Sequence, residues 1–440
     1  MRQEKRDDAG APPAPTDSPF RRVLRNVGWL LTGKGVGAVL SLVYLGLATR
    51  MLGLEGFGQF MLILSIGQAV AAIVLFQSWQ VVVRYGVPLV RAGDMAKLGR
   101  LVRFCSILDI VAAVLGCVAV TGAMLLLDHR LGWDDAMTRD AILFCLVLML
   151  SVRSCAIGVL RLFDRFGIGA IADSVTPIAR FVGALVVVAT GPDVRGFLIA
   201  WAAAEVLTAI AHWVYVWRIA PDLMRGWAGT SAAASEHPGL WRFALLTNVS
   251  ATLNASSKQI VVVLVGLVTG PAAAGAYRLA FQLSQALAQI AEMFSRGVFP
   301  EFARAHGGET SGDLKRLFRQ STRLTVAVGG IICLLVPIAG EPALRLVGGS
   351  AYAGAYPLVL VLSLAVAIDV MGIGFEPVLL GTDRAGTAFR IRLTAVLALV
   401  AAAVLLVPRY DALGAALATL VSSSVALVLL WPAAQRAVRG

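Results

Sequence analysis

Six polar residues inside one apolar run are the part of this sequence best placed to do chemistry. Ala276–Phe299 reads AYRLAFQLSQALAQIAEMFSRGVF, long enough to cross a bilayer core. Arg278, Gln282, Gln285, Gln289, Glu292 and Arg296 recur in it at steps of 4, 3, 4, 3 and 4. At a helical ~100° per residue, all six project within an arc of about 80°. Amides and guanidinium groups cannot face hydrocarbon unpartnered. The stripe therefore lines a water-filled cavity or packs on other helices. A whole polar face favours the cavity, because polar contacts between helices usually involve one or two residues.

Other cations lie in apolar runs. Lys34 sits among Gly33, Gly35 and Gly37, and Lys258 shares a helical face with Thr247, Ser250, Asn254 and Ser257. Each bare charge near the bilayer centre costs ~2.5–3.5 kcal/mol by insertion scales. Lys34, Lys258 and Arg278 together make a cationic cavity suited to phosphate or pyrophosphate. The alternative is local neutralisation, for instance of Arg278 by Glu292. The expected ligand-binding set is Lys34, Asn254, Ser257, Lys258, Arg278, Gln282, Gln285 and Gln289. Carboxylates supply candidates for a coupling proton or cation. Asp369 and Glu376 are seven apart on one face, with Gly372 between them and Pro377 breaking the helix. Glu205 shares a face with His212, and Asp173 with Arg180 around Pro177. The competing reading of each is a structural ion pair or a packing residue.

These residues need elements to hold them, and composition says which. The 440-residue chain is 58% hydrophobic and 15% charged, with a mean hydropathy of +0.80. That excludes an ordinary soluble globule and predicts a polytopic membrane protein. The net charge of +12 does not point to nucleic acid, because the basic residues cluster between apolar runs. Cys105, Cys117, Cys145, Cys155 and Cys333 read as small core hydrophobes, with no CxxC among them. Met1–Pro19 reads as a polar cytoplasmic tail and not as a signal peptide.

The expected fold is all-α, with about twelve transmembrane helices in two parallel six-helix lobes around a central cavity. The spans are Val27–Thr49, Phe57–Val83, Phe104–Leu127, Ala141–Leu160, Ile168–Thr190 and Phe197–Trp217, then Phe243–Val268, Ala276–Phe299, Leu324–Ala339, Tyr356–Leu380, Leu393–Val407 and Leu413–Ala433. Residues 1–26 form a tail, 27–217 an N-lobe, 218–242 a linker, 243–435 a C-lobe and 436–440 a second tail. Lys and Arg concentrate in the loops that lie inside when both termini are cytoplasmic. The outer loops hold Arg50, Arg130, Arg139, Arg195, Arg345 and Arg409. The inner segments Arg84–Arg103 and Glu301–Arg323 read as basic amphipathic helices lying on the anionic leaflet.

A tandem repeat supports two halves. Gly53–Phe60 matches Gly270–Tyr277 at an offset of 217, Leu98–Arg103 matches Leu314–Arg319 at 216, and Gly196–Ala200 matches Gly414–Ala418 at 218. Six spans per half is even, so the halves enter the membrane the same way and are related by an axis along its normal. Two parallel halves with a polar seam are the plan of a rocker-switch transporter.

Arg50–Phe60 (RMLGLEGFGQF), Tyr277–Gln282 (YRLAFQ) with Phe299-Pro300, and Asp411–Ala418 (DALGAALA) carry a resemblance to polysaccharide-transporter flippases. These belong to the multidrug/oligosaccharidyl-lipid/polysaccharide exporter superfamily, and the resemblance runs from Arg22 onward. It implies two lobes around a V-shaped cavity, with helices 1, 2, 7 and 8 forming a portal for a lipid tail. It also implies that polyprenyl-pyrophosphate-linked oligosaccharide is moved across the bacterial inner membrane, often driven by an ion gradient. The implied partners are membrane lipids, the anionic lipid-linked substrate and, by analogy, a polysaccharide polymerase complex. A multidrug–cation antiporter of the same superfamily would want more acids and aromatics in its cavity. A membrane glycan polymerase, ligase or acyltransferase would want a general base on a sizeable outer loop, and of the histidines only His129 lies in one. The sequence holds no metal-spaced cluster and no Gly-rich phosphate loop, so neither metal, cofactor nor catalysis is expected.

Overall fold

Residues 36–225, 233–286, 312–381 and 384–439 are described by a computed structural model, and among them there are helices and turns but no strands. In chain order the helices are α1 (Val36–Val74), α2 (Ser78–Ala92), α3 (Met95–Leu131), α4 (Asp135–Leu150), α5 (Ser154–Leu162), α6 (Phe166–Thr190), α7 (Val194–Ile219), the short α8 (Ala233–Glu236) and α9 (Leu240–Thr269). They continue with α10 (residues 271–286), α11 (Gly312–Gly348), α12 (Tyr356–Gly372), α13 (Phe375–Gly381) and α14 (Ala385–Arg439). Among the described residues, eight helical stretches are long and apolar enough to cross a membrane. Two of them, Val39–Ala92 with 54 residues and Gly386–Ala437 with 52, are long enough for two crossings each. With α9 and α10 the number of spans reaches the expected twelve. Leu126 (78% exposed), Val118 (70%) and Ile338 (76%) stand outward, as lipid-facing residues must.

The hairpins that join span 1 to span 2 and span 11 to span 12 are tight. Spans 1 and 2 run as one continuous helix, α1, kinked where Gly53 takes φ 68°. Spans 11 and 12 do the same in α14, kinked at Asp411 with φ 53°. Helix–helix approach in lipid depends on small residues rather than on apolar burial. Here the repeat-related glycines make one such close approach. A Cβ on Gly275 would fall 2.9 Å from the Gly58 Cα, and one on Gly58 would collide with the Pro271 carbonyl. Gly53 and Gly270, also repeat-related, both have positive φ. The equivalence extends to their neighbours. Phe60 packs edge-on against Trp201 with centroids 5.1 Å apart, and at the matching positions the Tyr277 hydroxyl bonds Thr419 Oγ1 at 2.9 Å.

The two halves also meet where the kink of α1 and the end of α11 converge. Thr49 Oγ1 donates to the Val347 carbonyl at 3.0 Å, and Arg50 Nη2 donates to Leu346 O at 2.6 Å. Tyr352, from the 3-10 turn Ser350–Ala355, donates to Gly53 O at 3.3 Å and packs edge-on to Phe57. These contacts close the seam at that end.

Three spans differ from the expected continuous helices. Span 2 breaks at residues 75–77 between α1 and α2, span 4 at 151–153 between α4 and α5, and span 10 at 373–374 between α12 and α13. Spans 4 and 10 are repeat-related. Pro377 does not make the third break. It stands in the first turn of α13, where a missing N–H costs nothing. The segment Arg84–Arg103 is also not a leaflet anchor. Its apolar residues Leu98, Leu101 and Val102 are fully buried against α2, α5 and α7, because α3 simply begins early, at Met95. Arg103 in turn donates to the Leu223 and Arg225 carbonyls. Of the second basic segment, residues 301–311 lie outside the described residues.

Candidate functional site

The polar stripe divides α10 into two faces. Leu279, Ala280, Leu283 and Ser284 are buried, and Ser284 Oγ bonds Ser363 of α12 at 2.9 Å. Arg278, Gln282 and Gln285 lie on the other face and are half-buried. Arg278 reaches across the seam. Its Nη1 donates to Gln259 Oε1 on α9 at 3.2 Å and its Nη2 to Gln68 Oε1 on α1 at 3.4 Å, while Nε finds no partner. Both bonds are long and both acceptors are neutral amides. Among the described residues no carboxylate stands within ion-pair distance of this guanidinium; Glu292, the carboxylate that helical spacing sets on the same face, lies outside the described residues with Arg296.

Gln68 also lines a polar cavity of about 380 Å³ in the first half of the chain. Gln77, Trp79, Asp109, Arg153, Ser154, Arg161 and Glu205 line the same space. The breaks in spans 2 and 4 open onto it, which is why its walls are polar: unwound backbone is tolerated at membrane depth only where protein or water satisfies it. The Gln77 amide is capped from the second half by Asn248 Oδ1 at 3.3 Å, and Thr252 Oγ1 donates to Ala72 O at 2.7 Å. Arg161 lies over the Trp79 ring, 4.1 Å from its centroid, a cation–π contact that leaves its N–H groups free to bind a ligand.

Glu205 is buried between two arginines. Arg153 Nη1 and Arg180 Nη2 each stand 2.7 Å from one of its oxygens. Arg180 Nη1 also approaches the Tyr44 hydroxyl at 3.4 Å and stacks over Trp201. Asp173, which the helical spacing placed beside Arg180, instead faces His212 Nε2 at 3.3 Å, and His212 Nδ1 bonds the Thr208 carbonyl at 2.9 Å. Glu376 stands 2.9 Å from Arg392 Nη2, with both side chains more than a third exposed. Asp369, on α12, is also exposed. Of the expected carboxylates, Glu205 is the one the structure brings into the cavity, and it arrives already paired.

Lys34 and Gln289 lie outside the described residues, as do the side chains of Asn254, Ser257 and Lys258. Arg153, Arg161, Asp109, Gln68 and Gln77 are site residues that sequence spacing does not single out. Arg161 closes span 4, where a flanking arginine is expected in any case, and Arg153 lies in the break of that span. The cavity collects two guanidiniums, Arg153 and Arg161, against the carboxylates Glu205 and Asp109, and Gln68 on its wall accepts from Arg278. It can hold an anion beside hydrogen-bonding amides.

Comparison with known proteins identifies the fold and the family. The structure resembles an inward-facing multidrug resistance MATE family transporter of the MOP superfamily, with TM-score 0.70 at 13% identity over 91% of this chain and 94% of that one. It also resembles the lipid II flippase MurJ in an inward closed conformation, with TM-score 0.62 at 12% identity over 91% and 87% of the two chains. In sequence it is 31% identical over 352 residues to the inner membrane protein YghQ of Escherichia coli (strain K12), covering 78% of this chain and 97% of that one. Residues 23–306 match the family model described as polysaccharide biosynthesis protein. The chain is therefore a multi-pass membrane protein of the polysaccharide biosynthesis protein family, built on the fold of the MOP-superfamily transporters.

Proposed function

We propose that this protein flips polyprenyl-pyrophosphate-linked oligosaccharide across the bacterial inner membrane, for O-antigen, capsule or exopolysaccharide synthesis, by alternating access. The observation that carries this reading is Arg278, a guanidinium in the seam whose described partners are two neutral amides. In the proposed cycle the pyrophosphate binds Arg278 with Lys34 and Lys258, and Arg153 and Arg161 extend the cationic surface through Gln68. Gln282, Gln285, Gln289, Asn254 and Ser257 hydrogen-bond the sugars, and the polyprenyl tail stays in lipid. The closed contacts at Thr49, Arg50 and Tyr352 fit an inward-accessible state. The MurJ likeness, a lipid flippase by its name, supports a lipid-linked cargo. Both termini are assigned to the cytoplasm, the protein acts as a transporter and not an enzyme, and a polymerase complex takes up the delivered glycan. Ion coupling completes the cycle. Asp369 is exposed, Glu376 is paired with Arg392 and Glu205 is held by two arginines, so a coupling role for any of them requires its pair or its exposure to change during the cycle.

The test is leaflet accumulation of lipid-linked glycan in inverted inner-membrane vesicles from a deletion strain, with wild type or Arg278→Ala restored. Losing a charge-assisted bond worth ~1.5–3 kcal/mol should slow clearance about 10- to 100-fold while insertion stays normal. Normal clearance by Arg278→Ala would overturn the cavity assignment. Unchanged leaflet distribution in the deletion strain would overturn the cargo.

A further inference from the structure

Spans 2 and 4 break side by side, and one side chain touches both restarts. Asp109, on α3, accepts from the Ser78 hydroxyl at 2.7 Å and from the Cys155 backbone N–H at 3.0 Å, both on Oδ2. Ser78 is the first residue of α2 and Cys155 the second of α5. The Trp79 N–H donates to Ser154 Oγ at 3.3 Å and ties the two restarts to each other. The other Asp109 oxygen, Oδ1, is buried and has no partner, and the residue as a whole is 3% exposed.

The surrounding charges do not neutralise it. Arg153 on the α5 side is held by Glu205 of α7, together with Arg180 of α6. Arg161, at the far end of α5, lies over Trp79 of α2. Cys155 on α5 and Cys105, one turn back on α3, are buried thiols. Arg103, further back on α3, is spent on the Leu223 and Arg225 carbonyls. Among the described residues no cation stands within ion-pair distance of Asp109. A buried carboxylate without a counter-ion is relieved by taking a proton.

We infer that Asp109 is a proton-binding site, loading and releasing a proton at Oδ1, and that this proton sets how firmly the two helix restarts are held together. The step balances simply: a proton from cavity water adds to Oδ1 and gives the neutral acid, and its release restores the carboxylate. Oδ2 keeps both donors in either state. A hydrogen bond to an ionised acceptor is stronger than one to a neutral acceptor, and the α5 N-terminus further favours the anion. Deprotonation therefore tightens the two breaks and protonation loosens them. Oδ1 is shut off from the cavity in this conformation, so proton exchange requires the breaks to move, and the two events are linked. The consequence for flipping rests on the transport reading above; the proton site itself does not.

The test is infrared titration of the purified full-length protein in lipid, wild type against Asp109→Asn. The expected result is a protonated-carboxyl carbonyl band that titrates in wild type and is missing from Asp109→Asn. Absence of such a difference at every pH would make Asp109 a permanently ionised helix cap and overturn the inference. Ser78→Ala, which keeps Asp109, removes a donor to the carboxylate and should move the titration to higher pH; an unmoved titration would overturn the assignment as well. In the vesicle assay, wild-type clearance should depend on pH and Asp109→Asn should lose that dependence. Retained dependence would overturn the coupling. A wild type that clears no glycan would remove the transport reading, and the infrared result would still decide the proton site.

Discussion

Glu205 shows how much a single residue can hold together in this fold. It joins the break in span 4, through Arg153, to α6, through Arg180, and both bonds are charge-assisted at 2.7 Å. Removing one member of a buried ion pair costs up to ~3–5 kcal/mol, because the partner is left charged and unpaired. Arg153 is 30% exposed to the cavity and Arg180 16%, so most of the penalty falls on Arg180. Glu205→Gln should therefore lower the thermal unfolding midpoint by several degrees, and Arg153→Gln by distinctly less. Equal losses in a thermal melt would show that the triad does not act as described. A second residue-scale expectation concerns the linker. Glu236 pairs with Arg100 at 2.7 Å, and that bond holds its carboxyl below the usual glutamate range. Burial pushes the neighbouring His237 imidazole below its usual value. Both folded values are depressed, so both contributions are fully present above the ordinary values and lost as pH falls through the folded ones. His237 begins to lose its share just below the ordinary histidine value of ~6.5, and Glu236 follows below the carboxylate range. Amide hydrogen exchange at Ala233–Glu236 should thus accelerate, relative to chemical exchange, as the buffer is acidified. Glu236→Gln should keep only the histidine step.

At the scale of elements, the glycine contacts and the helix breaks differ in how far sequence announces them. Gly58 and Gly275 were legible, because a repeat at a constant offset exposes them and small residues are what close helix contacts in lipid require. A Cβ at Gly58 would meet the Pro271 carbonyl, which is backbone and cannot rotate away. Gly58→Ala should therefore cost roughly 1–3 kcal/mol of the closed outer contact. It should raise maleimide labelling of a Thr49→Cys reporter from the outer face in intact cells, and unchanged labelling would count against the contact. The polar face of α10 was equally legible, since helical spacing alone puts Arg278, Gln282 and Gln285 together. The span 4 break was not. Residues 150–155 read Leu-Ser-Val-Arg-Ser-Cys, with neither Pro nor Gly, and nothing local stops the helix there. The break is held from elsewhere, by Trp213 Nε1 donating to Val152 O at 2.8 Å and by Asp109 at the restart. Arg153, Arg161 and Asp109 join one cavity only through those long-range contacts, so spacing could not bring them together. Glu376 fails in the opposite way: spacing placed it on a face with Asp369, but the break at residues 373–374 separates their helices and Arg392 takes its carboxylate.

For the whole molecule, alternating access requires that the outer contacts break while the two halves stay intact. The bonds across the outer end suit that requirement. Thr49, Arg50 and Tyr352 all donate to backbone carbonyls near the kink or near the end of α11, and none of these is a charge pair. The two hydroxyl bonds contribute only about 0.5–1.5 kcal/mol net each, and the exposed Arg50 bond no more than about 3, so together they define a closed state without locking it. The seam interior is different, because Arg278 is shared between the halves through weak amide contacts that an anion would outcompete. A ligand shifts a two-state equilibrium only by its differential affinity for the two states. On this reading, an anionic head group replacing Gln68 and Gln259 at Arg278 supplies that difference, and release of the halves follows. Thr49→Cys with Val347→Cys, joined by a short bifunctional maleimide, should therefore abolish clearance of lipid-linked glycan while leaving its binding intact. Each single-cysteine variant treated with the same reagent should clear normally. A cross-linked pair that still clears glycan at the wild-type rate would mean that the outer end does not open during transport, and the rocking of two halves would have to be given up.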